Sequence, residues 1–170
     1  MSILKKVVEL SNSIPLGERD NWDQYFMTKA YISSLRSTCG SRRVGAVIVR
    51  DKRDIASGYN GYPSGAEHCI DGGCPRFAAR QEGKLDSGEY KDEFPCEAFH
   101  AEHNAINQCL REGVSTKDTV IYCTTFPCRE CAKKILGAGI IKIYYVEGYP
   151  DAYSEDYLKR YGVEAIKVEL

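Results

Sequence analysis

From about residue 101 onward the chain alternates between two kinds of segment. A helical stretch leads to the run TVIYCTT (119–125), a helix opens near Cys128, and the run IKIYYV (141–146) follows. The helical segment SEDYLKRY (154–161) and the run VEAIKVEL (163–170) complete the series. Short β-branched runs separated by helix-length segments cannot pair through tight hairpins; they need crossover connections, and crossovers build a sheet that is at least partly parallel. The predicted class is α/β. Upstream, VGAVIVR (44–50) and DIASGYN (54–60) flank the polar turn DKRD and predict a hairpin. RDNWDQYFMTKAYISSLRS (19–37) predicts a helix whose apolar residues are too dense for one narrow stripe and imply heavy burial. Residues 61–96, rich in Gly, Pro and charge, predict a long ordered excursion without regular structure.

A chain of 170 residues with 43% hydrophobic and 28% charged residues suits a single globular domain over 1–170, carrying a cysteine-bearing insert at about 61–96. The formal net charge of −1 lacks the cationic excess that binding a long polyanion calls for, so long nucleic acid is disfavoured as a partner. MSILKKVVELSNSIPLG has neither the apolar run nor the cleavage site of a secretory signal, and no segment has the length of a membrane span. A cytoplasmic location is therefore expected. In that reducing compartment the eight cysteines point to metal binding or catalysis ahead of disulfides.

Two of those cysteines fall in TTFPCRECAKKILGAGI, where Cys128 and Cys131 stand three apart as a strand gives way to a helix. An i, i+3 pair at a helix start can face one ion, and the free amides and positive dipole end there favour thiolates. The same spacing occurs in redox motifs and in buried free pairs. CEAFHAEHNAINQC (96–109) supplies a third ligand, His100. Two thiolates and one imidazole make a zinc tripod with one tetrahedral position left for water.

His100 and Glu102 are two apart, which is the wrong spacing for one helical face. The spacing is explained if His100 sits at the helix entry and faces the metal, while Glu102 in the first turn faces the water and moves protons. Because two thiolates cancel the charge of Zn²⁺, the ion acidifies its water less than a three-histidine site would, and a nearby base is needed. A capped helix end, or Glu102 as a fourth ligand closing a non-catalytic structural zinc module, are the competing readings.

H-x-E followed by P-C-x-x-C is the pattern of zinc nucleobase deaminases. HAEHNAI with PCRECAK resembles the cytidine and deoxycytidylate deaminase superfamily, and RRVGAVIV, GYNGYPSGAEHC and GAGIIKIYYVEGY extend the likeness to its deoxycytidylate (dCMP) branch, from about residue 25 to the C-terminus. The resemblance implies a three-layer α/β/α fold with a five-stranded mixed sheet. It implies zinc-dependent hydrolysis of dCMP to dUMP and ammonia, with His100, Cys128 and Cys131 as zinc ligands and Glu102 as the catalytic proton shuttle. It also implies Asn60, Tyr149 and Arg111 as substrate contacts, and a homo-hexamer raised in activity by dCTP and lowered by dTTP. Another cytosine or adenine substrate, such as CMP, a free base or tRNA, would use the same tripod.

Some members of this branch carry a second, structural zinc whose ligands match Cys39 and Cys69. The histidine that certain relatives add from the insert has no counterpart in SGEYKDEFPC, so Cys74 and Cys96 are the proposed replacements, with His68 as a spare. Scattered reduced thiols are the alternative. Basic residues 42, 43, 76 and 80 are all candidates to hold phosphate. Cys109 and Cys123 are expected to fill the core, and His103 to cap or pack.

Overall fold

A computed structural model describes residues 2–86, 89–148 and 152–169. Helix α1 (Ile3–Ser13) precedes α2 (Trp22–Ser34), the hairpin β1 (Gly45–Arg50) and β2 (Arg53–Tyr59), and the short helix α3 (Pro75–Gln81). Then come α4 (Ala101–Arg111), β3 (Val120–Thr125), α5 (Arg129–Gly137), β4 (Lys142–Glu147), α6 (Ala152–Arg160) and β5 (Glu164–Lys167). The strands form one five-stranded mixed sheet in the order β2-β1-β3-β4-β5. β1 is antiparallel to both β2 and β3, while β3, β4 and β5 run parallel. The crossovers through α5 and α6 impose that parallel half, as the alternation in the sequence requires.

Period-two side-chain alternation divides the core into two layers. Ala46, Ile48, Ile121, Cys123 and Ile143 face α4, α5 and α6, meeting Ala101, Ala105, Ala132, Ile135 and Leu158. Val47, Val49, Tyr122 and Val146 face the other way, against Phe26, Met27 and Ala30 of α2. The result is the expected α/β/α sandwich. α2 starts at Trp22 because Asn21 and Gln24 form a reciprocal capping box. The hairpin turns on Asp51 and Lys52, both at positive φ (49° and 58°), which is the twist a two-residue connection demands.

Two glycines set how closely helices approach the sheet. A Cβ on Gly45 would lie 1.9 Å from the Ala30 carbonyl oxygen of α2, and one on Gly58 would lie 2.2 Å from the Ala101 carbonyl oxygen and 2.4 Å from the Ala105 amide nitrogen. Gly58 thus lets the first turn of α4 lie directly on β2, which fixes where His100 and Glu102 project.

The structure adds two helices to the sequence reading. Inside the 61–96 excursion α3 forms, because Pro75 at its first turn is compatible with a helix start and the Cys74 sulfur caps the Phe77 amide at 3.4 Å. α1, capped by Ser2, carries Ile3, Leu4, Val7, Val8 and Leu10, all exposed. Among the described residues no helix is long and apolar enough to cross a membrane.

Candidate metal centre and active site

The site lies at the ends of two helices that start side by side. His100 is the N-cap of α4, in extended conformation (φ −74°, ψ 160°), and makes no side-chain cap bond. Cys128 is the N-cap of α5 in nearly the same conformation (φ −69°, ψ 169°), also uncapped. Both side chains project into the gap between the helix starts. Cys131, one turn into α5, joins them. The Sγ atoms of Cys128 and Cys131 are each 3.4 Å from His100 Nδ1.

All three ligand atoms fall within 4.8 Å of one another, and this is the group of that kind found among the described residues. Two sulfurs and one imidazole nitrogen at that spacing fit Zn²⁺ in ligand type and number, with three protein ligands as in catalytic sites and not the four of closed structural ones. The three groups are also linked by hydrogen bonds. Cys128 is pushed down to about 3, because the Cys131 thiol donates to it and His100 lies beside it. Cys131 is pushed up by that same shared proton and by burial. His100 is raised chiefly by its bond to Cys128.

Glu102 occupies the first turn of α4 and is only 4% exposed. The unusual spacing of His100 and Glu102 follows from the N-cap: His100 precedes regular geometry, so two residues suffice to turn Glu102 into the same cavity. Burial raises the Glu102 carboxyl above its ordinary value, which suits a group that must both take and give a proton. It lines a cavity of about 200 Å³ together with Arg42, Val44, Asn60, Thr125 and Phe126, with His100, Ala101 and Cys128 completing the wall. That is below the roughly 300–1,000 Å³ of drug-sized pockets and suits a one-ring base.

Asn60 is fixed by four hydrogen bonds. Its Oδ1 accepts from the Val44 amide at 2.8 Å, its Nδ2 donates to the Arg42 carbonyl at 2.9 Å, its amide donates to the Val44 carbonyl at 3.2 Å, and its carbonyl accepts from Ser37 Oγ at 2.8 Å. The next residue, Gly61, exchanges two backbone bonds with Phe99, at 3.0 and 2.9 Å. That bridge ties the loop after β2 to the residue before His100.

Other expected residues lie elsewhere. Arg111 ends α4, at the opposite end of that helix from His100, and does not line the cavity. Tyr149 lies outside the described residues. Arg76 donates to the Glu89 carbonyl at 2.6 Å and stacks over Tyr90, while Arg80 donates to Ser41 Oγ at 3.2 Å. His103 packs edge-on against Phe99 with ring centroids 4.8 Å apart. Cys109 and Cys123 are buried in the core. Thr125 was not singled out by sequence reading: its Oγ1 is buried in the cavity wall with no hydrogen-bond partner among the described residues, and nothing in TTFPC distinguishes it from its neighbour Thr124.

A second thiol cluster lies in and beside the insert. Cys74 accepts hydrogen bonds from the Cys69 and Cys96 thiols, and both of those feel Cys39 electrostatically, but the group whose ligand atoms all lie within 4.8 Å of one another is His100, Cys128 and Cys131 and includes none of these four. The Gly40 amide donates to Cys69 Sγ at 3.3 Å and the Phe77 amide to Cys74 Sγ at 3.4 Å. Burial opposes ionisation of Cys74, but the Phe77 amide, the Tyr62 hydroxyl and the neighbouring thiols outweigh it and lower its pKa. His68 is exposed and makes no side-chain cap bond.

Comparison with known proteins agrees with this geometry. Residues 20–147 match the family described as the cytidine and deoxycytidylate deaminase zinc-binding region. ComE operon protein 2 of Bacillus subtilis is 43% identical over 90% of this chain and 74% of its own. The deoxycytidylate deaminase of Schizosaccharomyces pombe is 42% identical over 86% of this chain, which spans only 44% of that longer protein. The crystal structure of the cyanophage S-TIM5 dCMP deaminase, in complex with dCMP and dUMP, superposes with a TM-score of 0.70 at 29% identity, covering 89% of this chain and 99% of that one. With the tripod, the buried glutamate and the mixed five-stranded sheet in place, the chain belongs to the cytidine and deoxycytidylate deaminase zinc-binding family.

Proposed function

We propose that this protein is a zinc-dependent hydrolase that deaminates dCMP to dUMP and ammonia. The observation that carries the reading is the buried, pKa-raised Glu102 carboxyl in the same small cavity as His100 and Cys128, with Cys131 completing the ligand set. Zinc held by His100, Cys128 and Cys131 would supply a Lewis acid that lowers the pKa of water. Glu102 takes a proton from the attacking water and delivers it to N3 as the oxygen bonds to C4, then takes the remaining proton from that C4 hydroxyl and gives it to the amino group, so that the C4–N bond breaks and ammonia leaves a C4 carbonyl behind. Val44 and Phe126 flank the ring, and the unpartnered Thr125 hydroxyl is available to a polar edge of the base.

The choice of dCMP over other substrates is supported by the relatives named deoxycytidylate deaminase and by the cyanophage enzyme crystallised with dCMP and dUMP. The direct test offers the zinc-loaded protein dCMP, CMP, cytosine and tRNA and follows conversion of each. Turnover of dCMP with a kcat/KM well above the others bears out the reading, and preference for any other substrate refutes it.

The reading extends to a second zinc on Cys39, Cys69, Cys74 and Cys96, supported by the chained thiols and by amide-to-sulfur bonds of the kind that stabilise thiolate ligands. Such an ion would pin a long excursion whose ordering is otherwise entropically costly. Metal analysis decides: two zinc ions per chain support it and one refutes it. The reading also includes a cytoplasmic homo-hexamer answering to dCTP and dTTP. The exposed apolar residues Trp22, Tyr25 and Ile32 along α2 support self-association, and light scattering gives the mass.

A further inference from the structure

We propose that Asn104 is a positioning residue for the reaction: its side chain ties the loop that carries Asn60 to the helix that carries His100 and Glu102, and so sets how far apart the two walls of the cavity stand, an assignment that rests on the deaminase reading above. Asn60 and Glu102 both line the cavity, but they come from different elements. The four bonds that fix Asn60 run to Ser37, Arg42 and Val44, and none of them reaches α4. What references Asn60 to Glu102 directly is the contact between the end of β2 and α4. There Asn104 Nδ2 donates to the Tyr59 carbonyl at 2.7 Å, and that carbonyl belongs to the peptide leading into Asn60. One turn along from the metal ligand, the Asn104 amide donates to the His100 carbonyl at 3.0 Å. A single residue thus bonds to the backbone on both sides of the cavity.

Packing at the closest approach does little to stop helix and strand from sliding. Gly58 meets α4 without a side chain, and the helix offers it the backbone of Ala101 and Ala105, so no ridge enters a groove at that point. β2 is the outermost strand, and its outer row of amides and carbonyls has no neighbouring strand to pair with. Ser57 and Tyr59, two apart, turn the same edge outward. Gln108 Oε1 accepts from the Ser57 amide at 2.9 Å while Asn104 donates to the Tyr59 carbonyl, so one side chain takes up a donor and the other an acceptor. Together they pin the register of helix on strand.

The two bonds differ in where they lie. Asn104 acts on the peptide next to Asn60, whereas Gln108 acts a turn further from His100 and further back along the strand, at Ser57. On the other side of Asn60, Gly61 is bridged to Phe99. Asn60 is thus bracketed by Asn104 at Tyr59 and by Phe99 at Gly61, and of these two ties the Asn104 bond is the one a side chain makes. Because its partner is a carbonyl, Asn104 must present its NH₂ there, and an ionised aspartate in the same place has no proton to donate.

The test compares Asn104→Ala, Asn104→Asp and Gln108→Ala with the zinc-loaded wild type, by NMR-detected hydrogen exchange and by kcat and KM for dCMP. The Asn60 and Gly61 amides, bonded to the Val44 and Phe99 carbonyls, should exchange about tenfold faster in both Asn104 variants. In both, kcat/KM for dCMP should fall about 10²-fold, mainly through kcat and with zinc content equal to wild type, because a shift of about 1 Å between the Asn60 wall and the proton shuttle spoils the geometry of attack. Asn104→Asp keeps the shape and loses only the donor, so it carries the same test if Asn104→Ala does not fold. Gln108→Ala removes a bond of the same kind between the same two elements; it should lower Tm as much while leaving the exchange of Asn60 and Gly61 and kcat/KM within a few-fold of wild type. Unchanged exchange at Asn60 and Gly61 in the Asn104 variants, or a Gln108→Ala enzyme as impaired as Asn104→Ala, overturns the assignment. A wild type that leaves dCMP unconverted overturns the deaminase reading instead, and the exchange comparison still decides whether Asn104 holds the loop.

Discussion

Replacing Glu102 with Gln separates a proton shuttle from a metal ligand. The side chain is 4% exposed and nearly isosteric with its replacement, so the fold loses little volume and sheds a buried carboxyl whose ionised form burial disfavours. Glu102→Gln should therefore melt no lower than the wild type. Among the described residues no other carboxylate lines the cavity, so one group serves the water proton, ring N3 and the leaving amine. General acid–base catalysis contributes roughly 10²–10⁴ in rate, and a group used in every transfer belongs at the upper end. A fall in kcat of about 10⁴ corresponds to ~5.5 kcal/mol of lost transition-state stabilisation, while KM should move only a few-fold. The assay follows the absorbance change as cytosine becomes uracil, with zinc measured on the same sample by plasma mass spectrometry. Zinc content equal to wild type with kcat down about 10⁴-fold is the expected result. Loss of zinc in Glu102→Gln would make Glu102 a ligand, and a kcat within tenfold of wild type would remove it from the proton path; either result refutes the mechanism.

Three further outcomes follow from the geometry. Gly58→Ala puts a methyl 2.2 Å from the Ala101 carbonyl, and forcing α4 off β2 should cost about 2 kcal/mol, or roughly 4–8 °C in Tm by differential scanning calorimetry, with weaker zinc retention because His100 is displaced. Asn60→Ala leaves the Val44 amide and the Arg42 carbonyl without their partner and should cost about 1–3 kcal/mol by chemical denaturation, together with a higher KM for dCMP. Lys29 holds the Asp54 carboxyl below its ordinary 3.8 by a direct hydrogen bond, so the pair's contribution is present above pH 3.8 and is lost as pH falls through the lower folded value. Lys29→Met should return the Asp54 resonance to an ordinary titration by NMR and flatten that acid limb of stability; an unchanged Asp54 titration would contradict it.

Some of the fold and site was legible because it depends on local spacing. The strands β3, β4 and β5, separated by α5 and α6, could only be joined by crossovers, and the parallel register is a consequence. The metal ligands were legible for the same reason: an i, i+3 cysteine pair at a strand-to-helix junction and a histidine before a helix are one-dimensional signals. α3 was not, because the Gly- and Pro-rich composition of 61–96 hides a helix start that Pro75 and the Cys74 cap create together. α1 was missed although its apolar residues recur at helical spacing, since it buries none of them in this chain.

The amino-acid order by itself determined the α/β class and the zinc-capable set of His100, Cys128 and Cys131, because each rests on residues close in the chain or on ligand types that suit one ion. Tertiary structure decided which residues line the cavity, that Asn60 spends its amide on the Arg42–Val44 backbone, and that the Thr125 hydroxyl has no partner there among the described residues. Those outcomes depend on how loops from distant parts of the chain meet over two adjacent helix starts, and spacing along a sequence carries no information about that meeting until the sheet has brought the pieces together.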